Sequence, residues 1–435
     1  MLVIFYLGKI MKKNKRQTKH FALILALIIF MLSFVPAFAE HEDSKTTLEA
    51  ALSYIHTFVQ KPSYGVVGGE WAAFDMARGG IEDSAWFDIY LTSIKDAVAN
   101  VGGVLHAKKY TEYSRVIMAL TSMGIDSCKI ETSKGTFDLV AHLLDKQDNG
   151  EYWPSWQGNN GSAFALIALD CGNYYKTAEG NAARAFYIDS LVGDQRENGG
   201  WGLDVSLDYS DIDMTAMIVQ ALAPYYKDAE RLKAVGAKTS QEQIGNAINK
   251  ALDFFAANSA NSFTNVEACS QVIAALSCLG RDAANDEKLG DVLSLLYTYY
   301  LGDGQFAHEI VFDGSDKRVS EMATEQACYA LIAYNNFKTG KNSLYDMTDV
   351  FNAQTTSAEK APDEIWAQTH VGDDLVPNTD GKADDLDAER ETQKKPNGVL
   401  QTIFWAIVLF AVIMLLMVFK FKQSEKRYNQ NENNK

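Results

Sequence analysis

Five times along this chain a helix-like apolar segment ends in an Ala-Leu step, at Ala119-Leu120, Ala168-Leu169, Ala221-Leu222, Ala275-Leu276 and Ala330-Leu331. The Leu-to-Leu intervals are 49, 53, 54 and 55 residues, and a looser copy, Asp75-Met76, lies 44 residues ahead of the first. Self-similarity at a fixed period means stacked supersecondary units, none of which can bury its apolar face alone. Gly80, Gly124, Gly172 and Gly280 follow their steps within four residues, where helix C-terminal stops are expected.

Between these segments lie others with apolar residues at i, i+3/i+4 and i+7, at about 47–59, 84–100, 137–146, 181–192, 241–257 and 287–300. Strand signals are almost absent, so the expectation is an all-α domain of twelve helices in six pairs. The segments carrying the Ala-Leu step are the more uniformly apolar, as helices buried on all sides should be. They are expected to form an inner ring, an (α/α)6 toroid, with the other six wrapped outside. An open superhelix is the rival geometry, and it would leave apolar faces uncovered at both ends unless capped.

Composition limits what such a domain can do. With 47% hydrophobic and 22% charged residues the chain is not disordered throughout. A formal charge of −16 disfavours phosphate-backbone binding, so nucleic acid is not an expected partner. Cys128, Cys171, Cys269, Cys278 and Cys328 are odd in number and widely spaced, which is no disulfide framework.

The two ends read as membrane addresses. Residues 1–39 carry the cationic run Lys12 to Lys19, the apolar Phe21–Phe34 and Pro36-Ala37-Phe38-Ala39, the pattern of a signal peptide cleaved near Ala39, with Met11 an alternative start to Met1. Residues 399–419 have only Gln401 and Thr402 polar and would span about 31 Å as a helix, enough to cross a bilayer. Lys420, Lys422, Lys426 and Arg427 would hold a tail, 420–435, in the cytoplasm and leave the repeat domain, 42–352, outside the cell. Between domain and span, 353–398 is charged and Pro-containing, as a flexible stalk would be.

The connection Asp194-Gln195-Arg196-Glu197-Asn198-Gly199-Gly200-Trp201-Gly202 resembles the Gln/Trp repeat signature of the squalene cyclase and protein prenyltransferase superfamily, with looser copies at Gln147–Trp153 and Gly302–Phe306. Gly69-Glu70-Trp71, Tyr110–Arg115 and Met322–Leu331 look like a bacterial cell-surface branch of it, distantly similar to intrinsic factor and transcobalamin. The resemblance implies the toroid over about 45–340. By physical chemistry Gln195 and Trp201 should pin a tight turn, and Trp201 and Trp153 should staple repeats together.

The superfamily's catalytic motifs are incomplete here. Its cyclases carry Asp-x-Asp-Asp-Thr-Ala, with the middle Asp as proton donor; here Asp211-Ile212-Asp213-Met214-Thr215-Ala216 puts Asp213 at the acid position but Met214 beside it. A thioether cannot hold the acid's proton in place. The plainer expectation is that Asp211 and Asp213 cap the N-terminus of a helix over 212–223. Its prenyltransferases hold zinc by Asp, Cys and His; Glu267-Ala268-Cys269 resembles one part, but Gln326 occupies the histidine position. His308 lies in a connecting loop, where a solvent-facing histidine is the plainer expectation. No Asp/Glu-rich magnesium motif and no Gly-rich phosphate loop occurs.

If the inner helices run parallel, their N-terminal ends gather Glu70, Glu112, Asn160, Asp213, Glu267 and Glu321 or Glu325 at one mouth, with Trp71, Tyr113, Trp156 and Trp201 and, on the last helix, Gln326. Such a funnel is the default place for a ligand. The expectation is a surface-tethered binder of a bulky, partly apolar small molecule, a corrinoid being the candidate that the resemblance implies, with no cofactor otherwise. The alternatives are a cyclase or prenyltransferase-type enzyme and a scaffold for another envelope protein.

Overall fold

The computed structural model describes residues 43–352 except 204, 206, 207, 264 and 310–317. All of them belong to one compact unit. The signal peptide 1–39, stalk 353–398, span 399–419 and tail 420–435 lie outside the described residues, among which no helix is long and apolar enough to cross a membrane.

The described chain is mainly helical, with two short antiparallel hairpins, β1 Ile130–Thr132 with β2 Gly135–Phe137 and β3 Tyr300–Gly302 with β4 Gln305–Phe306. Its α-helices in chain order are α1 Ser44–Phe58, α2 Glu70–Arg78, α3 Ser84–Asn100, α4 Thr111–Ser122, α5 Gly158–Cys171, α6 Ala178–Gly193, α7 Ile212–Lys227, α8 Ala229–Val235, α9 Gln241–Ser262, α10 Val266–Leu279, α11 Val292–Tyr297 and α12 Glu321–Thr339. The six helices bearing the repeated step are α2, α4, α5, α7, α10 and α12. Each packs on the next in that order, and α12 packs in turn on α2. They are the buried ones: every residue of α10 from Val266 to Ser277 is out of solvent. On their flanks lie α1 against α12 and α2, α6 against α5, α9 against α7 and α11 against α10.

Two expected outer helices take other forms. Over 137–146 only a 3-10 turn, Ala141–Leu144, appears. Asp138 Oδ1 accepts from Val140 and Ala141 N–H at 3.0 Å, and Asp145 engages His142 and Tyr110, so local side-chain bonds hold a turn despite the helical spacing of the apolar residues. Over 287–300 the helix shrinks to α11, because Arg281 clamps the Asp286 carboxylate at 2.7 and 2.9 Å while that carboxylate also takes Lys288 and Leu289 N–H. The unforeseen α8 starts on the Asp228 cap, which accepts from Glu230 and Arg231 N–H. Helix α7 runs four residues past its expected end, through Pro224; the Gln220 carbonyl that the proline cannot reach lies 3.9 Å from Cys278 Sγ.

The turn chemistry of the Gln/Trp connection is as the residues imply. Gln195 Nε2 donates to Gly199 O at 2.9 Å and to Ala247 O at 2.7 Å, and the buried Trp201 indole donates to Leu191 O at 2.6 Å. Trp201 N–H donates to Thr215 Oγ1 and Phe306 N–H to Thr324 Oγ1, while each threonine hydroxyl donates to the carbonyl four residues back. The Gln-Phe copy is therefore built like the Gln-Trp one. Gly199 has φ +88, and a Cβ there would stand 2.4 Å from Lys250 O. Gly199→Ala is expected to cost about 1–3 kcal/mol, read as a lowered thermal midpoint. Gly80, Gly124 and Gly280 end their helices with positive φ as expected, but Gly172 does not: its φ is −118, and close packing by Phe351, Thr121 and Tyr174 is what excludes a side chain. All five cysteines are unpaired thiols.

Candidate functional site

Hydrogen bonds around the inner helices fix which of their ends share a side. Thr111 N–H, opening α4, donates to Gln157 Oε1 just before α5 at 2.8 Å. Asn159 Nδ2 in α5 donates to Gly202 O in the approach to α7 at 3.1 Å. Val266 N–H, opening α10, donates to His308 O, two residues past β4, whose Phe306 N–H reaches Thr324 of α12. Gly68 N–H, just before α2, donates to Glu325 Oε1 of α12 at 2.7 Å. The N-terminal ends of these helices therefore meet.

The repeat register then orders the shared face in turns. Trp71, Arg115, Phe164, Met217, Gln271 and Gln326 each stand five residues before the last residue of their step. The Trp71 ring lies 6.1 Å from Phe164 and 5.7 Å from Tyr329, so it reaches across to α5 as well as to α12. Four residues nearer the N-terminus stand Thr111, Asn160, Asp213, Glu267 and Met322; four residues further in stand Asp75, Ala119, Ala168, Ala221, Ala275 and Ala330. Residues four apart share one side of a helix. The position that five repeats give to alanine thus holds a carboxyl in the first.

Acids dominate this face. Glu70 is buried and accepts Gly65 N–H at 2.9 Å; burial raises its pKa against the pull of Arg115 and the Gly65 bond. Glu325 is 2% exposed, and burial, opposed by the Gly68 bond but helped by Glu70 and Glu321, pushes its pKa up to about 8. Asp75 is fully buried, neither of its oxygens has a hydrogen-bond partner, and burial and then Glu325 hold its pKa well above the carboxylate range. Arg115 gives Glu112 a 2.7 Å ion pair. Burial raises the Tyr329 hydroxyl far above its ordinary pKa, and Tyr345, Asp213, Asp75 and Glu267 add to it, which places their fields at one atom. That hydroxyl ends a buried relay: Gln220 Nε2 donates to Gln271 Oε1 at 2.8 Å, Gln271 Nε2 to Tyr329 at 2.5 Å, and Tyr329 to Gln326 Oε1 at 2.9 Å.

The expected site residues divide. Glu70, Trp71, Glu112, Asn160, Asp213, Glu267, Glu325 and Gln326 occupy or adjoin this face. Tyr113 does not: it is buried with its ring 4.5 Å from His142 and its hydroxyl on His106 O. Trp201 is wholly interior, and Asp211 caps α7 by accepting Met214 N–H at 2.9 Å. Trp156 is 59% exposed beside Trp153, which stacks parallel to Tyr110. His308 corrects its expectation: it is half-buried, with Nδ1 2.8 Å from Glu267 Oε2. Cys269 is buried beside this pair, and burial, then Asp213 and Glu267, push its thiol up to about 12. Among the described residues no three of His, Cys, Asp and Glu are placed to hold a metal ion. Sequence reasoning passed over Asp75, although its signal was there: an acid in the small-residue slot of the repeat. The chain matches no family model, no curated protein and no solved structure.

Proposed function

We propose that the domain is an (α/α)6 toroid of the cyclase and prenyltransferase kind, displayed outside the cell on a C-terminal span, and that its mouth captures a bulky, partly apolar small molecule. The observation that carries this reading is the cyclic packing of α2, α4, α5, α7, α10 and α12 with their N-terminal ends together, around a face lined by Trp71, Phe164 and Tyr329 and rimmed by acids. An apolar recess with convergent polar groups at its opening is what small ligands occupy. A corrinoid is the first ligand to test. Titration with cobalamin and cobinamide, followed by fluorescence and calorimetry, is expected to give saturable binding to one of them; a flat titration with both rejects the corrinoid version.

One observation favours the enzyme reading, the Glu267–His308 pair, since a carboxylate-oriented imidazole is acid-base equipment. Against it, Met214 stands where the cyclase motif carries its second Asp, and Gln326 where the zinc set carries its His. Turnover of a polyene or prenyl diphosphate, lost in Asp213→Asn or Cys269→Ala, would displace the binding reading.

A further inference from the structure

The unpartnered polar atoms of the shared face are mostly acceptors. Both oxygens of Asp75, Asn160 Oδ1 and Glu267 Oε1 are buried and have no hydrogen-bond partner among the described residues. The orphan groups that can donate are Arg115 Nε, on a guanidinium already committed to Glu112, the hydroxyl of the buried Ser270, in the register of Glu70 and Glu325, and the proton that burial keeps on Asp75. Native proteins leave few buried polar atoms unmatched, and each such atom calls for an explanation, an absent ligand or ion among them. A molecule that satisfies these acceptors must bring N–H or O–H donors.

Charge narrows the class. Glu70, Asp75, Glu112, Asp213, Glu267 and Glu325 face or adjoin the recess; the guanidinium among them, Arg115, is paired with Glu112, and the His308 imidazole is hydrogen-bonded to Glu267. Beside these acids the Trp71 ring packs 6.1 Å from Phe164 and 5.7 Å from Tyr329, and aromatic π-systems attract cations. An anion would meet repulsion, and a neutral acceptor could match only the Asp75 proton and the Ser270 hydroxyl, leaving Asn160 Oδ1 and Glu267 Oε1 without donors. The absence of a metal-holding triad among the described residues makes a larger cation with spread contacts the better fit than a chelated ion.

We propose that the recess receives a protonated amine carried on a bulky apolar body, the ammonium seated against the carboxyls of α2 and α12 and the body against Trp71, Phe164 and Tyr329. This rests on the small-molecule reading above and names the ligand's chemistry. Asp75, one turn inside Trp71 and fully buried, is the inner end of the seat, and the half-buried Trp71 is the side chain that turns aside on entry. Around Glu325 stand Glu321 and the Cys328 thiol on its own helix and Glu70 and Asp75 on α2, none of them cationic. Burial lifts Glu325 to about 8, so at neutral pH it holds a proton that an arriving ammonium displaces.

The test is calorimetric titration of the full-length chain at pH 7 with adamantan-1-amine and its neutral isostere adamantan-1-ol, in two buffers of different ionisation enthalpy. The amine is expected to bind about tenfold or more tighter than the alcohol and to release protons to the buffer. In Asp75→Asn with Glu325→Gln that preference is expected to collapse to within about twofold, with alcohol binding retained. Thermal melting of the double variant, expected at or above the parent, shows that the loss is not unfolding. Equal binding of amine and alcohol, or a preference that survives the double substitution, overturns the amine inference and leaves the apolar recess standing. Failure of both probes to bind removes the recess reading and this inference together.

Discussion

Asp170→Asn is expected to lower folding stability by about 3–5 kcal/mol, the range for stripping one partner from a buried ion pair. Asp170, near the end of α5, accepts from Arg184 Nε at 2.7 Å and Tyr225 hydroxyl at 2.8 Å and lies 3.0 Å from Arg231. Burial alone would raise its pKa, but Arg231, Arg184 and Tyr225 outweigh burial and hold it below the usual value. Arg184, 4% exposed, also donates to the carbonyls of Leu169, Tyr174 and Tyr175, so it satisfies the open end of α5. An amide at 170 leaves that guanidinium buried without its counter-charge. Urea unfolding at pH 7 should show a reduced midpoint with unchanged slope. The pH sense follows from the depressed pKa: the carboxylate's contribution is full above the unfolded value near 3.8 and is lost as pH falls through the folded one. Parent and variant should therefore converge in acid. A difference below about 1 kcal/mol at pH 7 would show that the arginines find other partners.

Asp170 also shows where a sequence stops speaking. It directly follows the Ala168-Leu169 step, and nothing in the one-dimensional pattern distinguishes it from a solvated acid at a helix end. Its partners, Arg184, Tyr225 and Arg231, come from three other helices, and such convergence is a property of packing. What the pattern did carry was periodic: inner helices at the Ala-Leu steps, α3 over 84–100, the pinned turn at Gln195 and Trp201. Where periodicity competed with short-range side-chain bonds, as at Asp138 and Asp286, the bonds prevailed and the expected helices shortened. The site was half legible for the same reason. First-turn acids could be listed from the helix starts, yet whether an aromatic looks inward, as Trp71 does, or backs onto His142, as Tyr113 does, depends on rotation about the helix axis. Comparing equivalent positions across repeats would have exposed Asp75, because five alanines predict an alanine there.

Replacing Glu325 by Gln and Asp75 by Asn should stabilise the protein at pH 7–8, the reverse of the Asp170 change. Both acids are buried, and burial raises both pKa values, helped by Glu325 at Asp75 and by Glu70 and Glu321 at Glu325, which reaches about 8. Between the ordinary value of 4.5 and about 8, the unfolded chain has lost the Glu325 proton while the folded chain keeps it, so the folded state binds more protons. Stability must then fall as pH rises across that window, by an amount on the order of several kcal/mol for a shift of this size. The amide needs no proton and retains an oxygen for Gly68 N–H, so the substituted protein should lose this slope while keeping its fold. Denaturant midpoints at pH 5, 6.5 and 8 give the comparison: a parent that weakens steadily and a variant that stays nearly level, with the gap widest at pH 8. Parallel curves would mean that Glu325 ionises in the folded protein as easily as in water. A residue pair that weakens its own fold at working pH is typical of a site retained for binding, where stability and function pull in opposite directions. The acids that should attract an ammonium are thus the same ones whose removal should make the empty protein more stable.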